Sequence, residues 1–194
     1  MRVGLLTIST SRVSHPEDDR SGQMLYKLFT QSAVLKDVTI VDQSIIEDDF
    51  ERITASIDGL ANRCDLVVTT GGTGISPLDM TPEATRHILE KECPGIVVAL
   101  LQRCIAATPL GALSRLAAGI VRQCLVVNFP GSPKACQECF EVLEPMAQHA
   151  SDLLTNRLHS TARTHDALQN TPSPHAADPV PSNGNSNGHS NILS

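Results

Sequence analysis

Thr69-Thr-Gly-Gly-Thr-Gly-Ile-Ser-Pro-Leu-Asp-Met-Thr-Pro-Glu-Ala-Thr85 carries the strongest local signal in this chain. It continues the apolar run Asp65-Leu-Val-Val68, carries glycine at 71, 72 and 74, and turns into a helix at Thr81-Pro82. Proline at the first helical position has no amide to leave unpaired, so it marks a start. Glycine lets backbone amides approach a ligand that a Cβ would hold off, and a helix N-terminus adds partial positive charge. A strand ending in such a loop is a phosphate cradle. Asp79 sits inside it, where a carboxylate repels phosphate unless a cation lies between them. The combination points to nucleotide or phosphate-ester chemistry with Mg2+. The loop is neither a Walker A motif, since no Gly-Lys-Ser/Thr follows, nor the dinucleotide fingerprint. Alone it also reads as a tight turn, and Asp79 as a residue that offsets the helix dipole.

Apolar runs and amphipathic segments alternate around this stretch. Val3–Ser9, Val38–Ile46, Leu66–Thr70 and Cys124–Phe129 read as strands, with a shorter one at Ala117–Val121. Their continuous apolar character suits central strands covered on both faces. Helical spacing follows Ser21-Gly22 at Met24, Leu25, Leu28 and Phe29. It recurs at Phe50, Ile53, Ile57, Leu60 and Ala61, where Asp48 or Asp49 fits as cap. A last helix opens near Pro133 and is expected to kink at Pro145. The alternation predicts an α/β fold, a three-layer α/β/α sandwich on a mostly parallel sheet, over residues 1–160. Beyond it, 161–194 is rich in Pro, Ser, Asn and Gly and reads as a disordered tail or linker, because it cannot offset its ordering entropy by burial.

Composition narrows the partners. The net charge of −6 argues against a nucleic-acid or anionic-membrane surface, and 3% aromatic content argues against stacking of single-stranded bases. An anionic substrate must be held locally. Met1-Arg-Val-Gly-Leu-Leu-Thr-Ile-Ser9 is too short for a signal sequence, and no run reaches membrane-span length, so a cytoplasmic location is expected. The six cysteines then read as buried thiols, with Cys136 and Cys139 as a helical core pair. The scattered histidines do not suggest a metal site.

In an open α/β sheet, ligands bind beyond the carboxyl ends of the strands. Three loops lie there: from Ser9, from Gly71 to Thr81, and Asn128-Phe-Pro-Gly-Ser-Pro133. Two glycine-containing loops on one edge suggest a bilobed pocket. Ser114-Arg115 is placed either to reach a phosphate or simply to be solvated, and Lys134 is the better-placed cation by position.

Several motifs together resemble the molybdopterin adenylyltransferase family, which includes bacterial enzymes and the G domain of gephyrin. They are Gly71-Gly-Thr-Gly74, Asp79-Met-Thr-Pro-Glu-Ala-Thr85, Pro94-Gly95, Thr108-Pro-Leu-Gly-Ala-Leu-Ser-Arg115 and Asn128-Phe-Pro-Gly-Ser132. Asp19-Arg-Ser-Gly22 and Gln137-Glu-Cys-Phe140 bring the likeness nearest to gephyrin. The resemblance implies a trimeric domain that activates molybdopterin with Mg-ATP and releases pyrophosphate, with a molybdenum-insertion domain or protein downstream. It implies Asp48 and Asp79 as the catalytic, Mg2+-handling carboxylates, and Gly71, Gly72, Thr73 and Gly74 as the nucleotide-phosphate loop. Ser9, Asn128, Pro130, Gly131 and Ser132 match the pterin side, and Ser114 joins the binding set through its own motif. Three departures stand out: Thr10 where the family usually has Asp, Leu78 where a basic residue commonly precedes the acid, and Ile46-Glu-Asp-Asp49 for Val-Pro-Asp-Glu. Loss of a cation at Leu78 weakens the hold on a polyphosphate. The alternative is a catalytically weakened, gephyrin-like oligomeric scaffold. The chemistry itself needs no catalytic histidine, because the attacking phosphate of molybdopterin is already anionic; alignment and relief of repulsion suffice.

Overall fold

The computed structural model describes residues 1–155, so the expected boundary at 160 and the 161–194 segment lie outside the described residues. Six strands form one sheet: β1 (Arg2–Ile8), β2 (Thr39–Ile46), β3 (Leu66–Thr70), β4 (Lys91–Glu92), β5 (Ala118–Val121) and β6 (Cys124–Phe129). The helices are α1 (Thr10–Val13), α2 (Arg20–Gln31), α3 (Phe50–Ala61), α4 (Thr81–Ile88), α5 (Pro94–Ala107) and α6 (Pro133–Leu154), with short 3-10 turns at Pro16–Asp18 and Pro109–Leu113. The strand order is β2-β1-β3-β6-β5-β4. The first four run parallel in register, Leu5 beside Val68 and Val68 beside Val127, while β5 pairs antiparallel with both β6 and β4.

Three layers follow from the two-residue period of the strands. Val3 and Leu5, Leu66 and Val68, and Leu125, Val127 and Phe129 face one core. Leu6 and Ile8, Val67, and Cys124 and Val126 face the other. The first core is closed by Leu25 and Phe29 of α2, Leu100 and Cys104 of α5, and Cys139, Phe140 and Leu143 of α6. Phe29 and Phe140 meet edge to face at 4.9 Å, an arrangement worth about 0.5–1.5 kcal/mol beyond the area it buries. The second core is closed by Ile53, Ile57 and Leu60 of α3 and Ala84 of α4. A parallel sheet covered on both faces explains why its strands are apolar throughout.

The expected α/β/α sandwich is the observed one, with three refinements. Asp49, not Asp48, caps α3, its carboxylate accepting from the Arg52 amide at 2.9 Å. Helix α6 continues through Pro145, whose missing amide leaves the Glu141 carbonyl without its helical donor. Helix α5 was not anticipated. Its sequence, Pro94-Gly-Ile-Val-Val-Ala-Leu-Leu, is apolar on nearly every side and so carries little amphipathic signal.

Candidate active site

Strand β1 leads to α2 on one face of the sheet, while its neighbour β3 leads to α4 on the other. The carboxyl ends of β1 and β3 therefore flank a crevice at the topological switch. The glycine turn is built there. Gly71 has φ +96° and Gly72 φ +61°, conformations that L side chains rarely adopt. A Cβ on Gly71 would lie 2.2 Å from the Ile8 carbonyl, and one on Gly72 2.3 Å from Thr81 Oγ1. Thr81 locks the turn to α4: its hydroxyl donates to the Gly71 carbonyl at 2.9 Å and its amide to the Gly72 carbonyl at 3.1 Å. Among the described residues, the amides of Gly72, Thr73 and Gly74 donate to no protein oxygen. Donors at this position suit an anion.

The turn after β6 lies against the first. A Cβ on Gly131 would lie 3.1 Å from Gly71 Cα, so the two loops touch glycine to glycine. This second turn is tied from below. The Ser21 hydroxyl donates to the Gly131 carbonyl at 2.8 Å, the Thr70 hydroxyl donates to the Pro130 carbonyl at 2.8 Å, and the Cys136 thiol reaches the same carbonyl at 3.4 Å. Burial pushes that thiol up to about 11, with the Thr70 hydroxyl pulling the other way. Ser132 caps α6, accepting from the Ala135 amide at 3.2 Å.

Both acidic candidates face one cleft of about 350 Å³, which Ser9, Gly71, Gly72 and Gly131 also line. Asp48 is oriented by Thr10: its Oδ2 accepts from the Thr10 amide at 2.8 Å and hydroxyl at 3.1 Å, and the Thr10 hydroxyl accepts from the Asp48 amide. Its Oδ1 lies toward Gly72, 3.0 Å from where a Cβ would stand. The Asp79 carboxylate sits over Gly74, 2.8 Å from the corresponding point, and accepts from the Ser76 amide at 3.2 Å. The Thr10 departure thus gives Asp48 a neutral donor where a second acid would repel it.

The remaining candidates stand elsewhere. Thr73, Gly74, Pro130, Ser132 and Ser114 are not on the cleft wall. Asn128 is fully buried beneath it, donating to the hydroxyls of Thr69 and Thr85 at 2.9 Å each. That network ties β3, β6 and α4 together under the turns. Arg115 is half-buried and bonded to the protein rather than lining the cleft. Its guanidinium donates to the carbonyls of Gly74 at 2.6 Å and Asp79 at 2.7 Å and pairs with Glu83. Lys134 is exposed and pairs with Glu138.

Sequence reasoning passed over several cleft residues. Asp19 is buried, caps α2 through the Gly22 amide at 2.9 Å and accepts from the Thr7 hydroxyl at 2.8 Å. Arg12 and Arg20 bring positive charge to the same wall, Arg12 pairing with Asp18 at 3.5 Å. The run Asp19-Arg-Ser-Gly22 was the available signal; its distance in sequence from Gly71 hid the contact.

Residues 4–149 match the family described as a probable molybdopterin binding domain. The chain is 38% identical over 168 residues to the molybdenum cofactor synthesis protein cinnamon of Drosophila melanogaster, covering 86% of this chain and 28% of that protein's length. It is 32% identical over 156 residues to the molybdopterin adenylyltransferase of Helicobacter pylori strain J99, covering 79% of this chain and 88% of that one. Among solved structures, the molybdopterin biosynthesis enzyme MoaB of Thermus thermophilus superposes with a TM-score of 0.72 at 33% identity, over 80% of this chain and 96% of that one. With the family match spanning residues 4–149 and 32% identity over most of both chains, this protein belongs to the molybdopterin-binding domain family.

Proposed function

We propose that this chain is a molybdopterin adenylyltransferase acting in molybdenum cofactor biosynthesis, with ATP and molybdopterin as substrates. The observation that carries the reading is the cleft at the β1–β3 switch, which joins Asp48, Asp79 and the glycine turn on one wall. Homology to a curated adenylyltransferase over most of both chains supports it.

The chemistry asks for little covalent help from the protein. A terminal phosphate oxygen of molybdopterin attacks the α-phosphorus of ATP, and the bond to the β-phosphate breaks with loss of pyrophosphate. Two polyanions must be brought in line and their repulsion relieved. The turn amides of Gly72, Thr73 and Gly74 donate to phosphate oxygens on one side, Gly72 from the cleft wall and the next two from the segment that continues it. The Gly131 turn, with Arg12 and Arg20 lining the same cleft, receives the second anion. Thr10 keeps Asp48 aimed at Gly72, and Ser76 keeps Asp79 over Gly74.

The donor set fits Mg2+, which takes one or two carboxylates and completes its shell with substrate phosphates and water. Among the described residues no cluster of three or more metal-ligating side chains forms, so a preassembled protein cage is not the design. Asp48 and Asp79 would hold the ion, and when bound it would neutralise charge between the two phosphates.

A homotrimer belongs to the same proposal. Helix α5 and the turn after it leave Val98, Ile105, Leu110 and Leu113 exposed, an apolar surface that a second copy of the chain would cover. The longer fly relative supports a further unit that accepts the adenylylated product. Among the described residues no helix is long and apolar enough to cross a membrane.

The test is pyrophosphate release from Mg-ATP with and without molybdopterin. Asp79→Ala is expected to retain the melting temperature and lose about 100-fold or more in turnover. Full activity in that variant refutes the assignment. A parent protein that binds no nucleotide favours the scaffold.

A further inference from the structure

Besides Thr81, a second side chain that neither lines the cleft nor belongs to the turn holds the glycine turn from outside. Arg115 follows the 3-10 turn at Pro109–Leu113 and lies 41 residues from Gly74 in sequence. It makes four contacts there. Its amide donates to the Thr73 carbonyl at 2.8 Å, Nε to the Gly74 carbonyl at 2.6 Å and Nη2 to the Asp79 carbonyl at 2.7 Å, while Nη1 pairs with Glu83 at the start of α4.

Peptide geometry gives these contacts a consequence. No peptide bond in the described residues is cis, and in a trans peptide the C=O and the next N–H point in opposite directions. Drawing the Thr73 and Gly74 carbonyls toward Arg115 therefore turns the amides of Gly74 and Ile75 to the opposite side. Holding the Asp79 carbonyl fixes the backbone from which that carboxylate reaches over Gly74. Ile75 and Leu78 are 67% and 70% exposed, so packing does not order the segment between these anchors. Only the guanidinium fork spans both ends of it.

We infer that Arg115 is a positioning residue for the proposed transfer: it clamps Thr73–Asp79 so that the turn amides and the Asp79 carboxylate are set before substrate binds. The inference rests on the adenylyltransferase reading for its catalytic consequence, but not for the clamp itself. An ammonium cannot replace the fork, because a single compact charge does not reach two carbonyls and a carboxylate in one plane.

The test compares Arg115→Lys and Arg115→Ala with the unsubstituted chain by amide hydrogen exchange without substrate, then by steady-state kinetics. Exchange within 71–80, read at the bonded amides of Gly71, Ser76 and Asp79, is expected to rise about 10-fold in Arg115→Lys, with β1, β3 and α6 unchanged. In kinetics, kcat is expected to fall about 100-fold with little change in KM for molybdopterin. Added guanidinium is expected to restore part of the kcat of Arg115→Ala while leaving Arg115→Lys unmoved. Unchanged exchange in 71–80 overturns the clamp. So does a uniform rise across the domain, or failure of Arg115→Lys to fold, either of which makes Arg115 a residue of general stability. Because exchange is read on the free protein, a parent chain that does not adenylylate counts against the proposed reaction and leaves the clamp standing or falling by itself.

Discussion

The two turns that meet at the cleft are held by opposite means. The one after β3 relies on backbone conformations open to glycine and on a guanidinium from a distant segment. The one after β6 rests on short side chains beneath it, Ser21, Thr70 and Cys136, each bonded to one of its carbonyls. Among the described residues both leave amides without protein partners, Gly72 to Gly74 in the first and Gly131 and Ser132 in the second, but only the first presents a carboxylate. A loop that must receive phosphate oxygens leaves its donors open, so its order comes from behind, through its carbonyls. The second, whose carbonyls face Ser21, Thr70 and Cys136, is anchored by the core instead.

Substitution at the two touching glycines should separate these designs most sharply. Gly71→Ala adds a Cβ in a strained conformation and 2.2 Å from a backbone oxygen that cannot swing aside. The expected cost is about 3 kcal/mol or more, seen as a large drop in melting temperature together with loss of activity. Gly131→Ala meets the Gly71 backbone at 3.1 Å without a positive φ, so a small shift relieves it. Here the expected loss is about 1–2 kcal/mol, with activity falling further than stability because the displaced partner is the phosphate turn. Equal losses at both positions would mean that the turns are one rigid unit and the contrast is false.

Removing a single anchor from the second turn should do less. Ser21→Ala deletes the bond to the Gly131 carbonyl and is expected to cost about 1 kcal/mol in denaturant unfolding. The turn retains Thr70 and Cys136 under Pro130, so exchange within 71–80 should stay at the parent rate. A rise there would show that the phosphate turn leans on α2 as well as on Arg115.

What the sequence disclosed followed the same division. Leu66–Thr70 and Cys124–Phe129 are β-branched and apolar runs that stop at Gly71 and Pro130, so both strands and the loops after them could be read directly. Pro82 and Pro133 marked the helix starts for a local steric reason. Helix α5 escaped because an apolar helix with only Leu100 and Cys104 buried shows no polar face to set a period. Arg115 was noted, as a phosphate contact or a solvated cation, but its contacts escaped for a different reason: its partners are carbonyls, which every residue has, and no pattern of side chains announces them. Asn128 was a candidate by resemblance alone, and its buried place under the turns depended on the register of β3 against β6. Asp48 and Asp49 could not be told apart as caps until the chain direction at the end of β2 was known.

The smallest effect is silent at neutral pH and touches the second turn alone. The Cys136 thiol is buried beneath Pro130, and burial raises it from an ordinary 9.0 to about 11. A group raised in the folded state keeps its proton longer than in the unfolded chain. Its contribution to stability is whole below pH 9 and is lost as pH rises toward 11. Cys64 and Cys124 are raised by burial too, to about 11 and about 12, so the parent protein should lose stability steadily above pH 9. Cys136→Ala removes one of these titrations. Its unfolding free energy at neutral pH reports lost packing, but the slope against pH between 9 and 11 reports the thiol and should be shallower than the parent's. The amides of 71–80 should exchange at the same intrinsic-corrected rate in both proteins across that range, because no thiol bonds to the first turn. A parallel loss of protection in both turns would place the control of the phosphate loop in the core beneath Pro130 rather than in the guanidinium behind it.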